Sequence, residues 1–316
     1  DALDAMNDAE LRQKMPSVSV CARITPAQKL RIVQALQAQG CVVGMTGDGV
    51  NDAPALRAAH VGIAMGERGT DVAREAAAIV LLDDNFASIV KGIRLGRHIF
   101  SNLQKSMRYI FAVHIPIAGM ALVPLLMGWS SWLLPVHLAL LELVVDPACA
   151  IAFENEPAEA DVMQQAPRDI LAPLFGWADM ALAFGQGLCV LLSVGLCQLW
   201  ANERMDEAGT RALLFATLVV ANAGLILSTR AAAAPRRSVG PRNTVLPWLL
   251  GLNLVGLVLV LYTPWTQAAL HFAPLSASDW AVVLALGLLS GLSAAGLGWW
   301  ARPRPTEPTQ QTARAA

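Results

Sequence analysis

The chain has 316 residues, 55% of them hydrophobic and only 15% charged, which excludes an ordinary soluble domain and suits a protein with membrane segments. Its net charge of −1 gives no ground for nucleic-acid binding. Five cysteines (Cys21, Cys41, Cys149, Cys189 and Cys197) lack any C-x-x-C spacing, so they support neither a disulfide framework nor a zinc site and read as buried free thiols. The opening "DALDAMNDAELRQK" has no basic n-region or apolar h-region, so it is not a signal peptide and reads as a start in mid-domain. "PAQKLRIVQALQAQG" carries apolar residues at helical spacing up to Gly40, and "CVVGM" follows as a short strand. A loop, "TGDGVND", comes next, then a helix that Asp52 is placed to cap and Pro54 to start. "VGIAM" predicts a second strand, "GTDVAREAA" a second helix and "AIVLL" a third strand. Five-residue apolar strands alternating with helices are what a parallel sheet covered on both faces needs. Ligands of such sheets sit at the carboxyl ends of the strands, where "TGDGVND" falls.

From position 86 a helical pattern runs for about 40 residues, some 60 Å, twice the thickness of a hydrocarbon core, and its charges stop after Arg108. This predicts a stalk helix over 86–105 that continues into a membrane. Six apolar segments follow, at 106–127, 132–153, 174–200, 212–229, 245–262 and 280–300, each near the ~20 residues a spanning helix needs. Trp129, Trp132, Trp200, Trp265, Trp280, Trp299 and Trp300 cluster at segment ends, as an interfacial belt would place them. Arg230, Arg236, Arg237 and Arg242 in one loop, with Arg302, Arg304 and Arg314 in the tail, predict that this side and the soluble part are cytoplasmic. The tail 301–316 reads as disordered.

"TGDGVNDAPAL", with "ARITPAQK" before it and "GIAMGERGTDVAREAAAIVLLDDNFASIVKGIRLGR" after it, resembles the phosphorylation domain of P-type ATPases, the cation pumps with a haloacid-dehalogenase-like core. The stalk and six segments beyond look like the C-terminal half of the calcium-pump-like branch. The resemblance implies a partial α/β, Rossmann-like domain over 1–85, then an all-α bundle of six transmembrane helices over 106–300. It also implies ATP as substrate of the intact pump and Mg2+ as cofactor. Magnesium needs hard oxygen ligands, and phosphoryl transfer needs cationic or dipolar groups on the moving phosphoryl. Asp48 is the expected magnesium carboxylate, with Asp52 organising the loop and joining it as a metal residue. Gly47 and Gly49 let backbone approach the phosphate, Asn51 is placed to hydrogen-bond it, and Lys29 matches the family's lysine, suited to neutralising phosphoryl charge. The phosphorylated aspartate of the family lies in "DKTGT", a string absent here, as are the nucleotide domain and the "TGE" loop. The chain alone is therefore expected not to hydrolyse ATP, and its missing N-terminal part is the expected partner.

Ionisable residues inside a membrane mark function by default. In "LALLELVVDPACAIAF", Glu142 and Asp146 lie one turn apart, and Pro147 leaves the carbonyl of Leu143 without its usual amide. In "AVHIPIAG", Pro116 likewise frees the carbonyl of Ala112, next to His114. Glu142, Asp146 and His114 form the expected site of the transported cation, with Asn222 as a further candidate and Gln186 as an interhelical hydrogen-bond former. Against the calcium pumps, Asp146 matches a transport-site aspartate, Glu142 and His114 fall on asparagines, Ile117 and Val219 on glutamates, and Val145 on a threonine. The expected location is the bacterial inner membrane, in contact with lipid. Two other readings stand beside the pump: a truncated, non-catalytic membrane protein that binds magnesium or a complete pump, and a lipid-moving pump of the same superfamily.

Overall fold

The computed structural model describes residues 2–159, 161–168, 173–233 and 243–301, without the side chains at 144–146, 148–150 and 231–233. The expected tail thus lies outside the described residues, as does the side chain of Asp146. The chain divides into two units, Asp1–Leu95 and Gly96–Ala316.

The first unit runs α1 (Asp8–Lys14), α2 (Pro26–Gln37), β1 (Gly44–Gly47), α3 (Ala53–Ala58), β2 (Val61–Met65), α4 (Asp71–Ala76) and β3 (Ile79–Leu81). The strands form one parallel sheet in the order β1-β2-β3, with Thr46 opposite Ile63 and Met65 opposite Leu81. Residues of β2 point alternately to the two faces. Ala64 packs with Leu56 of α3 and Ala73 of α4, whereas Ile63 and Met65 pack with Leu81 and Ile89 on the other side. Both faces are thereby covered, which is why the strand reads as an unbroken apolar run. Gly62 is required by this layering, because a Cβ there would lie 2.4 Å from the carbonyl oxygen of Leu56. The first strand begins at Gly44 rather than Cys41. The amide of Val43 is taken by Nδ1 of His60 at 3.1 Å, so strand pairing starts one residue later.

A single helix, α5 (Ala87–Met127, 41 residues), contains both the expected stalk and the first expected membrane segment, with Pro116 and Pro124 inside it. Then come α6 (Pro135–Glu154), α7 (Trp177–Ala201), α8 (Glu207–Ala233), α9 (Val245–Tyr262), the short α10 (Pro264–Leu270) and α11 (Ala277–Trp300). The protein is mostly helical. Among the described residues, five helices are long and apolar enough to cross a membrane: α5, α7, α8, α9 and α11. The remaining expected segment is the 20-residue helix α6.

The most buried of these five helices is α8, which meets α11 through glycines: a Cβ on either Gly224 or Gly291 would lie 3.1 Å from the other's Cα. Small residues let two backbones come this close where lipid supplies no hydrophobic drive between helices. His137, at the start of α6 and fully buried, ties this helix to the end of α10. Its Nδ1 accepts from the amide of Leu134 at 3.1 Å, its Nε2–H donates to the carbonyl of Leu270 at 2.6 Å, and its ring stacks on Phe272. Glu156, just past α6, is a second tie. Its carboxylate accepts from Arg230 of α8 at 2.6 and 3.1 Å and from Asn243 before α9 at 3.2 Å, while its carbonyl accepts from Asn102 of α5 at 2.9 Å.

Two expectations are corrected. Trp132 does not face outward as an exposed belt residue would: it is buried among the helices, with Trp129 stacked beside it. Of the described cysteines, all free, Cys197 is buried but Cys41 is exposed, because it sits in the turn between α2 and β1.

Candidate functional site

The acidic loop sits at the carboxyl end of β1, where Gly47 closes the strand and residues 50–52 form a 3-10 turn leading into α3. Asp52 is 6% exposed. One of its oxygens is in contact with Nζ of Lys29, and the other accepts from the amide of Gly49 at 3.4 Å. Its carboxylate does not cap α3, contrary to the sequence expectation, because it turns back toward these two donors. Lys29 reaches it from the first turn of α2. That turn is fixed by a capping box, in which the amide of Gln28 donates to Oγ1 of Thr25 at 3.3 Å and the amide of Thr25 to Oε1 of Gln28 at 2.8 Å.

Burial pushes the Asp52 carboxyl upward in pKa, but the hydrogen bond from Lys29, the Gly49 amide and the Lys29 charge outweigh it and hold the group below the usual carboxylate range. Gly47 is sterically required, since a Cβ there would lie 2.6 Å from Cβ of Asp52. Gly49 has room for one within this chain, and its contribution is its amide. Asp48 is held by its backbone, whose carbonyl accepts from the Thr70 amide at 2.8 Å, and its exposed carboxylate has no hydrogen bond among the described residues. Asn51 is exposed beside it.

This donor set fits a hard divalent ion through Asp48, an uncommitted carboxylate, next to an Asp52 already engaged by Lys29. No group of three or more His, Cys, Asp or Glu side chains converges among the described residues. An aspartate the sequence reading passed over organises the neighbouring loop. Asp84 accepts from the amides of Gly66, Glu67 and Arg68 at 2.7, 3.1 and 3.0 Å. Three amides converging on one carboxylate have no linear signature, since they lie 16–18 positions away.

In the second unit, the structure brings His114 of α5 and Glu142 of α6 together, with Nε2 and Oε1 3.6 Å apart. Nδ1 of His114 lies 2.7 Å from the carbonyl of Ile110. That contact requires a proton on Nδ1, so in the neutral ring Nε2 presents a lone pair to a carboxylate oxygen. Two acceptors facing each other at this distance match adjacent ligands about 2.1–2.4 Å from a shared cation. Both side chains are partly exposed. Asp146 follows Glu142 by one turn of α6.

Asn222 lies on the same stripe of α8 as Phe215 and Val219, which line an apolar cavity of ≈ 370 Å³ with Leu141 and Pro147 of α6 and with α9. It is 3% exposed, and neither its Oδ1 nor its Nδ2 has a hydrogen-bond partner among the described residues. Gln186 differs: its Nε2 donates across to the carbonyl of Ala294 at 3.0 Å, an interhelical bond between α7 and α11. The carbonyl of Ala112 does not join His114. It faces α7, where a Cβ on Gly187 would lie 2.3 Å from it. Two residues along a helix is a turn of about 200°, which puts Ala112 and His114 on opposite sides of α5.

Residues 130–299 match the family model described as "Cation transporting ATPase, C-terminus". A calcium-transporting ATPase of Listeria monocytogenes is 41% identical over 219 residues, which cover 69% of this chain and 25% of that protein. One from Bacillus subtilis is 35% identical over 302 residues, covering 93% of this chain and 33% of its own. A probable cation-transporting ATPase F of Mycobacterium bovis is 33% identical over 289 residues, or 90% of this chain and 32% of that one. The chain spans a quarter to a third of the length of these curated relatives. With more than half of its residues under the family model, the chain belongs to the cation-transporting ATPases, of which it carries the C-terminal membrane part.

Proposed function

We propose that this chain is the C-terminal half of an ATP-driven cation pump, in which formation and hydrolysis of an aspartyl phosphate elsewhere in the pump are coupled to transport through a site at Glu142 and Asp146. Residues 1–85 are read as the end of a haloacid-dehalogenase-like phosphorylation domain, 86–105 as the stalk, 106–300 as six membrane helices and 301–316 as a tail. The soluble part and tail lie on the cytoplasmic side of a bacterial inner membrane in this reading.

The observation that supports the transport site is the approach of His114 Nε2 and Glu142 Oε1, 3.6 Å apart on neighbouring helices and partly exposed, a separation that suits two ligands of one cation when Nε2 carries no proton. Asn222 supports it, as a buried amide with both atoms unspent among the described residues, on the α8 stripe toward α6. Two of the three relatives are named for calcium, and calcium takes six to eight oxygens. Here an imidazole, two carboxylates and an amide provide fewer, so a divalent cation completed by carbonyls and the rest of the pump is the substrate class. At the other site, Asp48 is the magnesium ligand, with Asp52 beside it. Magnesium there would draw charge from the phosphoryl oxygens. Lys29, held in place by Asp52, adds positive charge on the same side, and Asn51 offers a hydrogen bond.

The test is phosphoenzyme formation from ATP in the intact pump, titrated with calcium and with first-row divalent metals. Glu142→Gln and Asp146→Asn are expected to abolish its cation dependence, and an unchanged dependence in both variants would remove the site from this reading. The purified 316-residue chain is expected to release no phosphate from ATP.

A further inference from the structure

The acidic loop has a neighbour at the carboxyl end of the sheet, the segment 66–70 that leads from β2 into α4. Pairing of β1 with β2 ends at Gly47 and Ala64, and the Thr70 amide extends that hold by one residue, donating to the carbonyl of Asp48 at 2.8 Å. The segment carrying Thr70 is itself pinned from two sides. The Asp84 carboxylate accepts from the amides of Gly66, Glu67 and Arg68 and, at 3.0 Å, from Nε of Arg68. Arg74 of α4 donates to the carbonyls of Gly66 and Gly69 at 2.7 and 2.6 Å. Gly69 makes the turn tight: a Cβ there would lie 2.0 Å from the carbonyl oxygen of Met65.

Asp84 stands in the left-handed region, with φ 47°, a conformation that side chains other than Asn and Asp seldom adopt. The start of α5 does not account for it. There, Asp83 accepts from the hydroxyl of Ser88 at 2.8 Å and the amide of Asn85 at 3.2 Å, and Oδ1 of Asn85 accepts from the amide of Ala87 at 2.9 Å. The carboxylate of Asp84 turns the other way, to the segment that holds Asp48. Groups that hold a metal's ligands without touching the ion tune its affinity. The exposed carboxylate of Asp48 has no hydrogen bond of its own among the described residues, so its placement depends on how its backbone is held.

We propose that Asp84 is a positioning residue of the magnesium site: by gathering the amides of residues 66–68 it sets the Thr70 amide, and through it the backbone of Asp48. The proposal rests on the reading of Asp48 as the magnesium ligand.

The test uses Asp84→Asn, which keeps the size of the side chain and its tolerance of the left-handed backbone but replaces one acceptor oxygen by a donor and removes the charge. In the metal-free 316-residue chain, the Thr70 amide of this variant should exchange about ten-fold faster relative to the amides of β2, the size expected from losing a charge-assisted hydrogen bond. Ile63→Val, which loosens the sheet on its other face, should shift Thr70 and β2 together. In the intact pump, phosphoenzyme formation is driven from inorganic phosphate, so that no MgATP is present, and titrated with Mg2+. The half-saturating Mg2+ concentration should rise about ten-fold in Asp84→Asn, the low end for groups outside a metal's ligands, and stay unchanged in Ile63→Val. An unshifted Mg2+ dependence in Asp84→Asn, or an equal shift in Ile63→Val, overturns the proposal. Wild-type exchange at Thr70 in the Asp84→Asn chain overturns it too, and this comparison stands even if the variant pump does not assemble. Asp48→Asn separates the proposal from the reading beneath it. Unchanged Mg2+ dependence there removes Asp48 as the ligand and the proposal with it, whereas lost dependence in Asp48→Asn with none lost in Asp84→Asn overturns the positioning role alone.

Discussion

The substitution Asn222→Leu should make the chain more stable while disabling the pump that contains it. The two side chains have the same number and branching of heavy atoms, so the change exchanges one oxygen and one nitrogen for two methyl groups at a site only 3% exposed. Neither polar atom has a partner among the described residues. An unsatisfied buried polar group costs about 1–3 kcal/mol, so relieving two at the low end gives roughly 2 kcal/mol. Fitting two slightly larger methyl groups returns about 1 kcal/mol of that. The net expectation is a gain of about 1 kcal/mol, a sign opposite to that of most core substitutions. The assay is unfolding of the chain in mixed micelles by increasing sodium dodecyl sulfate, followed by the fluorescence of its nine tryptophans. A loss of about 1 kcal/mol or more would refute the reasoning, since it would mean that the amide makes a stabilising hydrogen bond. In the intact pump, the same variant should lose cation-dependent phosphorylation. Normal pumping by the Asn222→Leu variant would take Asn222 out of the transport site while leaving the stability argument standing.

Two neighbouring glycines of α7 should respond with opposite signs in the same assay. Gly187→Ala places a Cβ 2.3 Å from the Ala112 carbonyl and 2.7 Å from Cβ of Ile115, an overpacking that outweighs the helix-propensity gain and costs about 1–2 kcal/mol. Gly185→Ala meets only the tip of Leu297 at 3.5 Å and should gain about 0.5–1 kcal/mol, so equal effects at the two positions would contradict the described packing. In the first unit, the depressed pKa of Asp52 means that the stability it contributes is complete above the ordinary carboxyl value of about 3.9 and is lost as pH falls through its lower folded value. Amide exchange at Gly49, corrected for its intrinsic pH dependence, should therefore quicken below about pH 4 in the wild type but not in Asp52→Asn; the same profile in both would assign the effect to another carboxyl.

Much of the fold is legible in the sequence because its forces are local. The run Val61–Met65 announces β2 at its observed limits, since a strand covered on both faces must be apolar at every position. The long helix α5 is equally plain from its period and its length. What the sequence leaves out depends on residues brought from elsewhere. Asp52 reads as a cap because an aspartate before a helix usually is one, and only the arrival of Lys29 from 23 positions earlier redirects it. His114 and Glu142 can each be picked out as polar residues in apolar helices, but the tautomer that sets two acceptors face to face depends on the Ile110 carbonyl. The carbonyl freed by Pro116 reads as one open to an ion, yet α7 approaches closely enough to cover it, an outcome decided by the absence of a side chain at Gly187.

The tie at Glu156 bears on how the helices of the second unit can move. Through one residue, the ends of α6 and α8 and the start of α9 are fastened to the flank of α5. Elements fastened at a common level cannot slide past one another along their axes without breaking that knot, but they remain free to swing about it. Motion in this bundle is thereby channelled into pivoting, with small displacements near Glu156 and the largest at the opposite ends of the same helices. There, the buried imidazole of His137 clamps α6 to α10, so the far end of that helix is restrained as well, and any swing of α6 must carry α10 with it.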